Sequence, residues 1–386
     1  MVHAWHSGDS LADFPAAEKV PLNGIYLNHG FVTTLAKRLE SEPSAERPIV
    51  GLVVSRNVFT DQEFDYLDRI TRLADEANVT AVFYWFDGRK QGLDWPWLRS
   101  SESKPAALVN LTHLHNGQAR TDEISRLGVP VIQTLHYRTG DARDWQASDV
   151  GVDAGLASVM LSTTEAWGLT DPMVISAGSD GKKQVIEPQL TLLFDKVSAL
   201  HRLQTHANQD KTVALMYWNA PAGAENISAS NLNIPSSIRS ISSALYTEGY
   251  QTEALSEQQT IDDAKLLLSG YYQPDTTLDL LERGYAASIP LTNYQAWFNA
   301  LPRKQRQFIL KWWGAPDKHQ ALREVNGELA FVFPVKQYGH LHVLPQPPRA
   351  GTVGHAIHNT KEPPDHLYLA VYLWLQQEHQ MGRWTR

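Results

Sequence analysis

Continuous apolar runs bounded by polar residues recur through the first half of the chain: Ile49–Val54 (IVGLVV), Thr80–Trp85 (TAVFYW), Ala106–Leu111 (AALVNL) and Pro130–Leu135 (PVIQTL). Runs of this length without polar alternation predict strands buried on both faces. Asp61–Ala77 and Thr121–Leu127 carry helical spacing between them, and a segment at Asp171–Ser176 followed by a helix from Gln189 to Gln204 closes the series. Strands alternating with helices predict a parallel, doubly wound sheet.

The pattern restarts at Val213–Trp218 (VALMYW), a further buried strand. Ile234, Ile238, Ile241 and Leu245 then follow at spacings of 4, 3 and 4, which predicts a helix with Asn233 as its N-cap, Pro235 in its first turn and Gly249 as its stop. From there the chain turns helical over Thr260–Leu268, Thr277–Arg283, Asn293–Ala300 and Pro302–Trp313, and a strand pair is expected at Leu329–Phe333 and Leu341–Leu344. It closes on Tyr338–Gln380, which joins a short apolar strand, a rigid PQPPR elbow, a His-bearing loop and a helix apolar throughout Leu367–Leu375. A segment that hydrophobic must be buried, so the polar groups leading into it are expected to face a cavity or a partner. The expected fold is α/β with two Rossmann-like units, each a doubly wound parallel sheet, the second followed by a helical section. Residues 1–45 read as an N-terminal arm or an incomplete leading piece, 46–206 as the first unit and 207–386 as the second.

Composition narrows the function classes. A chain of 386 residues with 42% hydrophobic and 20% charged residues is long enough for two domains with ample cores and unlike a disordered chain. A net charge of -8 argues against a dominant nucleic-acid surface. The absence of cysteine removes disulfides, thiolate metal sites, iron–sulfur clusters and Cys nucleophiles together, and suits the cytoplasm. No signal-like start and no run long enough for a membrane span is present.

Candidate chemistry gathers at strand ends. The loop Asn219–Asn231 lies between a strand and a helix start, where α/β sheets bind ligands, but it matches no nucleotide motif. Its bland reading is a connecting loop whose Ser and Asn side chains satisfy their own backbone. His113 and His115 follow one predicted strand and His136 another, so parallel strands would bring all three imidazoles to one carboxyl edge. Loop histidines at the surface are the plain alternative. His340 and His342 share a strand face by period-two alternation, a weak metal candidate. In the elbow, Gln346 offers a donor and an acceptor and Arg349 a fork suited to carboxylates, on a backbone stiffened by Pro345, Pro347 and Pro348. His366 follows the candidate N-cap Asp365, a position that favours a neutral imidazole; a satisfied, partly buried histidine is equally compatible. No residue is assigned a catalytic role.

The segments GAENISASNLNIPSSIRSISSALYTEGY, LPRKQRQFILKWWG, YGHLHVLPQPPRAG and PPDHLYLAVYLWLQQ occur in that order. Together with RPIVGLVVSR, LGVPVIQTL and KTVALMYW they resemble the large subunit of aerobic cobaltochelatase, CobN, and more loosely the large component of magnesium chelatase. The resemblance runs from about Pro48 to Gln380 and implies a tetrapyrrole-binding subunit that holds a hydrogenobyrinate-type ring or a porphyrin while cobalt or magnesium, the substrate metal, is inserted. It further implies separate AAA+ subunits that use the ATP. Asn226, Gln346, Arg349 and His366 match the family pattern and become the candidate macrocycle-side residues, while Pro235, Gly339, Pro347, Pro348 and Tyr368 match the pattern without a proposed role. The family continues into a His-x-Gly-x-His-Gly segment that this chain lacks, so an internal fragment truncated at its C-terminus is expected. Two further readings stand beside a chelatase subunit: a non-catalytic remnant that binds the ring or a partner, and a small-ligand binding protein of two-unit α/β type.

Overall fold

The structure is a computed structural model, described for residues 20–27, 30–32, 47–86, 104–179, 183–349 and 361–378. The His-bearing loop at 350–360 and the chain end from 379 lie outside the described residues. Two compact units, residues 1–201 and 202–386, divide the chain.

The first unit is built on a sheet whose described strands are β1 (Gly24–Leu27), β2 (Gly30–Val32), β3 (Ile49–Val53), β4 (Thr80–Trp85), β5 (Ala107–Asn110), β6 (Val131–Tyr137), β7 (Leu169–Ala177) and β8 (Gln184–Val185). Their order is β2-β1-β4-β3-β5-β6-β7-β8, and β4, β3, β5, β6 and β7 run parallel. The apolar runs explain themselves here. Val50, Leu52, Ala81, Phe83 and Val109 belong to one core layer, and Val53, Val82, Tyr84 and Leu108 to the layer on the opposite face. Alternate residues point to opposite faces, so a strand covered on both sides must be apolar at every position. Helix α1 (Phe64–Glu76) covers one face through Leu67, Ile70, Leu73 and Ala74, spaced at helical intervals and all buried. Helices α2 (Gly117–Leu127) and α3 (Ala142–Ala147) follow β5 and β6. A run of short helical turns over Ala154–Ala157, Ser158–Ser162 and Thr163–Glu165 leads back to β7, after which α4 (Glu187–Thr205) packs Leu190, Leu193, Phe194 and Val197 into the core.

Part of the leading stretch, residues 1–45, is described. Gly24–Leu27 pairs antiparallel with β4 and Gly30–Val32 with β1, so this stretch belongs to the sheet. Strands of three or four residues with a mixed pattern carry too little periodicity to be seen in sequence.

The second unit opens with β9 (Val213–Tyr217), then the short hairpin β10 (Ser228–Ala229) and β11 (Leu232–Asn233), and α5 (Ile234–Thr247). The Asn233 side chain accepts from the Ser236 amide, Pro235 occupies the first turn, and Gly249 follows at a φ of 82°, as its capping role requires. Helices α6 (Glu257–Tyr272), α7 (Thr277–Glu282), α8 (Leu291–Ala300) and α9 (Arg303–Trp313) fill the expected helical section, with β12 (Ala286–Pro290) inserted in it. Strands β13 (Leu322–Val325), β14 (Glu328–Pro334), β15 (Lys336–Tyr338) and β16 (Leu341–Pro345) precede α10 (His366–Glu378).

The predicted partnering of the two apolar strands differs in the structure. β14 pairs with β12 and β13, whereas β16 pairs antiparallel with β15 and parallel with β9. Both strands exist; their partners are set by the tight turn at Asn326–Gly327 and by the long-range fit of β16 to β9, neither of which the apolar pattern encodes. Helix α10 is buried at Leu367, Ala370, Val371, Leu373, Trp374 and Leu375, against Phe331, Phe333 and Leu344. Most of the run therefore lies in the core, while Tyr368 and Leu369 are partly buried and Tyr372 is exposed.

Candidate functional site

In the second unit, β9 and β16 run parallel with Pro345 opposite Tyr217, so the segments that follow them leave the same sheet edge. The Gln346 amide N–H extends the ladder to Tyr217 O at 2.9 Å. Its side-chain amide lies 3.5 Å from the Tyr368 hydroxyl, which reaches the Tyr372 hydroxyl at 3.3 Å. The Tyr368 and Tyr372 rings stack with centroids 4.8 Å apart, one helical turn apart on α10, and Tyr372 is 36% exposed. Burial, and then the Tyr368 hydroxyl, push the Tyr372 phenol well above its ordinary value, so it remains a donor at neutral pH. Gln346, Tyr368 and Tyr372 thus form a flat ledge of aromatic and amide surface beside the elbow.

The other residues carried by resemblance are differently used. Arg349 donates from Nη2 to the Glu362 carbonyl at 3.2 Å, and its own carbonyl accepts from the Asp365 amide at 3.0 Å. It straps the elbow to the segment that starts α10. Asn226 donates to the Pro221 carbonyl and accepts from Ser228 Oγ at 2.7 Å. Asn219 likewise donates to the Asn226 carbonyl and accepts from the Tyr272 hydroxyl at 2.7 Å. The loop after β9 therefore spends the Asn219 and Asn226 side chains on its own backbone and packing.

Of the two readings open for His366, the structure shows the satisfied, buried histidine. It is fully buried, and both ring nitrogens are engaged: Nε2 with the Gly314 carbonyl at 3.1 Å and Nδ1 with the Tyr294 hydroxyl at 2.8 Å. A carbonyl only accepts, so Nε2 carries the proton and the Tyr294 hydroxyl donates to Nδ1. Burial holds the imidazole below its ordinary range. The neighbouring N-cap reading of Asp365 holds, since its Oδ1 accepts from the Tyr368 amide at 2.8 Å.

His340 and His342 do not form a ligand pair with other donors. His342 is buried with its ring 5.4 Å from that of Trp374, and among the described residues no group of three His, Asp or Glu side chains is arranged to hold a metal.

The first unit carries a cavity of about 440 Å³ at the carboxyl edge of its parallel strands. His113 and His136 line it together, as strand direction predicts, while His115 packs edge-on against His113 at 4.6 Å and is outside the lining. His136 Nδ1 lies 3.0 Å from Ser176 Oγ, and His113 Nδ1 lies 3.5 Å from Met160 Sδ. Burial, and then Lys183, hold His136 below its ordinary value; burial and His115 do the same for His113. Arg138, Ser176 and Met160 complete this site and escaped sequence reading. Arg138 stands two residues past His136 at the same strand end, a signal that extending the crevice rule would have caught. Met160 sits in a run of short turns without periodicity, and no pattern marks it.

These elements define a two-unit α/β protein with ligand-accessible surface at the carboxyl ends of parallel strands. Known proteins resolve that class further: the family model described as CobN/Magnesium Chelatase matches residues 1–382, and the chain belongs to this family. It is 32% identical over 175 residues to the aerobic cobaltochelatase protein CobN of Pseudomonas aeruginosa, covering 45% of this chain and 14% of that protein. The magnesium-chelatase large component of Chlorobaculum parvum is 25% identical over 264 residues, 67% of this chain and 20% of its own length. The solved catalytic subunit of cobaltochelatase from Mycobacterium tuberculosis shares the fold with a TM-score of 0.73 at 19% identity, covering 99% of this chain and 32% of that one. The chain spans about a third of the length of two curated relatives that match more than nine-tenths of it. No described helix is long and apolar enough to cross a membrane.

Proposed function

We propose that the chain supplies part of the surface that holds a tetrapyrrole in a metal chelatase large subunit, with cobalt as substrate metal and a hydrogenobyrinate-type corrin precursor of cobalamin biosynthesis as the ring. Magnesium and a porphyrin form the alternative pair. On this reading the work takes place in the cytoplasm, and ATP is hydrolysed by AAA+ partner subunits rather than bound here. One observation carries the reading: in a member of this family, the stacked Tyr368–Tyr372 pair and the Gln346 amide present a flat, half-exposed ledge with donors at its rim. A tetrapyrrole is a flat apolar disc with carboxylates on its periphery, the shape and polarity such a ledge complements.

The test is absorption titration of the chain with a porphyrin and with hydrogenobyrinic acid diamide. A saturable shift of the ring's main band that Tyr372→Ala weakens about fivefold or more is expected, because base-like stacking on an aromatic ring contributes about 1–3 kcal/mol. No spectral change up to about 50 μM ring, a concentration that reveals any binding stronger than about −6 kcal/mol, would sink the proposal.

A second reading has its own support. His366 is locked on both nitrogens and Asn226 is committed to its loop, which favours a chain that holds the ring or a partner without removing its protons. Ring binding without metal insertion in the presence of ATPase partners would select this reading over the first.

A further inference from the structure

The parallel strands of the first unit lie in the order β4-β3-β5-β6-β7, so the chain winds outward in one direction from β3 and in the other from β5. The crevice outside the carboxyl ends of those two strands is where open α/β sheets place ligands. Val54 and Ser55, directly beyond β3, and Leu111, Thr112 and His113, directly beyond β5, line the cavity found there. Its volume of about 440 Å³ is that of a small-molecule site, for which about 300–1,000 Å³ is usual.

Charge and polarity select the ligand. Two cationic side chains, Arg138 and Lys183, and one carboxylate, Asp153, line the cavity. Lys183 is neutralised by Glu63 at 2.9 Å. Asp153 is occupied as a helix cap, its Oδ1 accepting from the Leu156 amide at 2.8 Å. Arg138 makes no hydrogen bond or ion pair to any described residue, so an exposed guanidinium stands at the mouth with its donors open. Val54, Leu135, Leu156 and Val159 supply an apolar wall.

The backbone argues against a phosphate. In the turn after β3, the Asn57 amide donates to Ser55 Oγ at 3.2 Å, the Val58 amide to Ser55 O at 3.1 Å and the Phe59 amide to Arg56 O at 3.0 Å. Beyond β5, the Thr112 amide is spent on Asn110 Oδ1 at 3.3 Å. A phosphate cradle is built on open N–H groups, and these four are already spent; the Arg138 fork suits carboxylate and phosphate alike, and the apolar wall favours a carboxylate that carries an apolar body.

The geometry points to a second ligand site, independent of any macrocycle: the switch-point cavity of the first unit binds a small organic carboxylate whose apolar body fills the pocket and whose anion meets Arg138. His136 reports on it. The charged groups facing His136 are Lys183 and Arg138, which oppose its protonation, and Glu63, which favours it. An anion beside Arg138 offsets the first two and raises the His136 pKa.

The probes are 4-methylpentanoate, its neutral amide and inorganic phosphate, titrated into the full chain by calorimetry and by proton NMR of the histidine ring signals. The carboxylate is expected to bind, to raise the His136 titration midpoint, and to bind about fivefold or more tighter than the amide, the gain of a charge-assisted hydrogen bond at a partly exposed position. Arg138→Gln, a change at an exposed side chain, is expected to abolish that preference. Equal binding of carboxylate and amide, tighter binding of phosphate, absence of carboxylate binding at about 10 mM, weaker than roughly −3 kcal/mol, or an unmoved His136 would each overturn the assignment.

Discussion

Replacement of His366 discriminates between a histidine that serves a ligand and one that serves the fold. The side chain is fully buried between the Tyr294 hydroxyl at 2.8 Å and the Gly314 carbonyl at 3.1 Å, with the rings of Phe298 and Tyr294 centred 5.2 and 5.6 Å away. In His366→Ala both polar partners lose their mate, at about 1–3 kcal/mol each. The void left by the imidazole, roughly 60 Å³ at about 24 cal/mol per Å³, adds about 1.5 kcal/mol. Partial collapse lowers that sum, and a loss of about 3–5 kcal/mol in the second unit is expected. His366→Phe refills the void but leaves the orphaned groups, so it should lose about 2–4 kcal/mol.

Urea unfolding followed by tryptophan fluorescence measures this, since Trp374 sits in the same core and Trp313 donates to the Pro363 carbonyl at 2.9 Å just ahead of the helix. A pH series adds a second signature. The folded imidazole titrates below its ordinary 6.5, so it binds fewer protons than the unfolded one. Its contribution is complete above 6.5 and is lost as pH falls through the folded value, with a slope of at most about 1.4 kcal/mol per pH unit. His113 and His136 act in the same direction, and the difference between parent and His366→Phe isolates the His366 share. A variant within about 1 kcal/mol of the parent, or an unchanged acid slope, would refute the structural role.

Other perturbations probe other joints of the second unit. Asp263 is buried and accepts from the Tyr285 hydroxyl at 2.6 Å and from the Tyr338 hydroxyl. The hydrogen bond to Asp263, ahead of burial, pushes the Tyr285 phenol up to about 12, so Asp263→Asn should bring it back toward 10.0, read by phenolate absorbance on alkaline titration. Gly339 turns β15 into β16 at a φ of 60°, where an added Cβ would run into the Gln251 carbonyl. Gly339→Ala should cost about 2 kcal/mol or more, from left-handed backbone strain and the clash together, seen as a lower melting temperature.

The first unit was legible because burial on both faces writes itself into composition. Ile49–Val53, Thr80–Trp85 and Val131–Tyr137 are strands because a doubly covered sheet tolerates apolar residues at every position, and the intervening helices show their own period. The second unit was legible in its helices and caps, Asn233 above all, whose effect is local. Strand partnership was not legible. β16 finds β9 more than a hundred residues away, and the choice rests on fit between elements rather than on any short pattern. Small edge strands such as β2 were hidden for the opposite reason, being too short to establish a period.

The candidate residues of the second unit separate according to what their polar atoms already hold. His366, Asn226 and Asp365 are committed within the fold, to Tyr294 and Gly314, to Pro221 and Ser228, and to the Tyr368 amide. Gln346 and Tyr372 meet their neighbours at longer range, 3.5 Å from Gln346 to Tyr368 and 3.3 and 3.7 Å from Tyr372 to Tyr368 and Met216, on surface that solvent reaches. A ligand must compete with whatever a side chain already binds, so a committed group yields little net affinity while a loosely held one yields most of its hydrogen-bond energy. The same reasoning sets Arg138 apart from Lys183 in the first unit: both are cations lining one cavity, but Glu63 already holds one of them. The positions where a ligand gains most are therefore those whose bonding capacity the fold has left open, and these are the positions at which substitution should change binding before it changes stability.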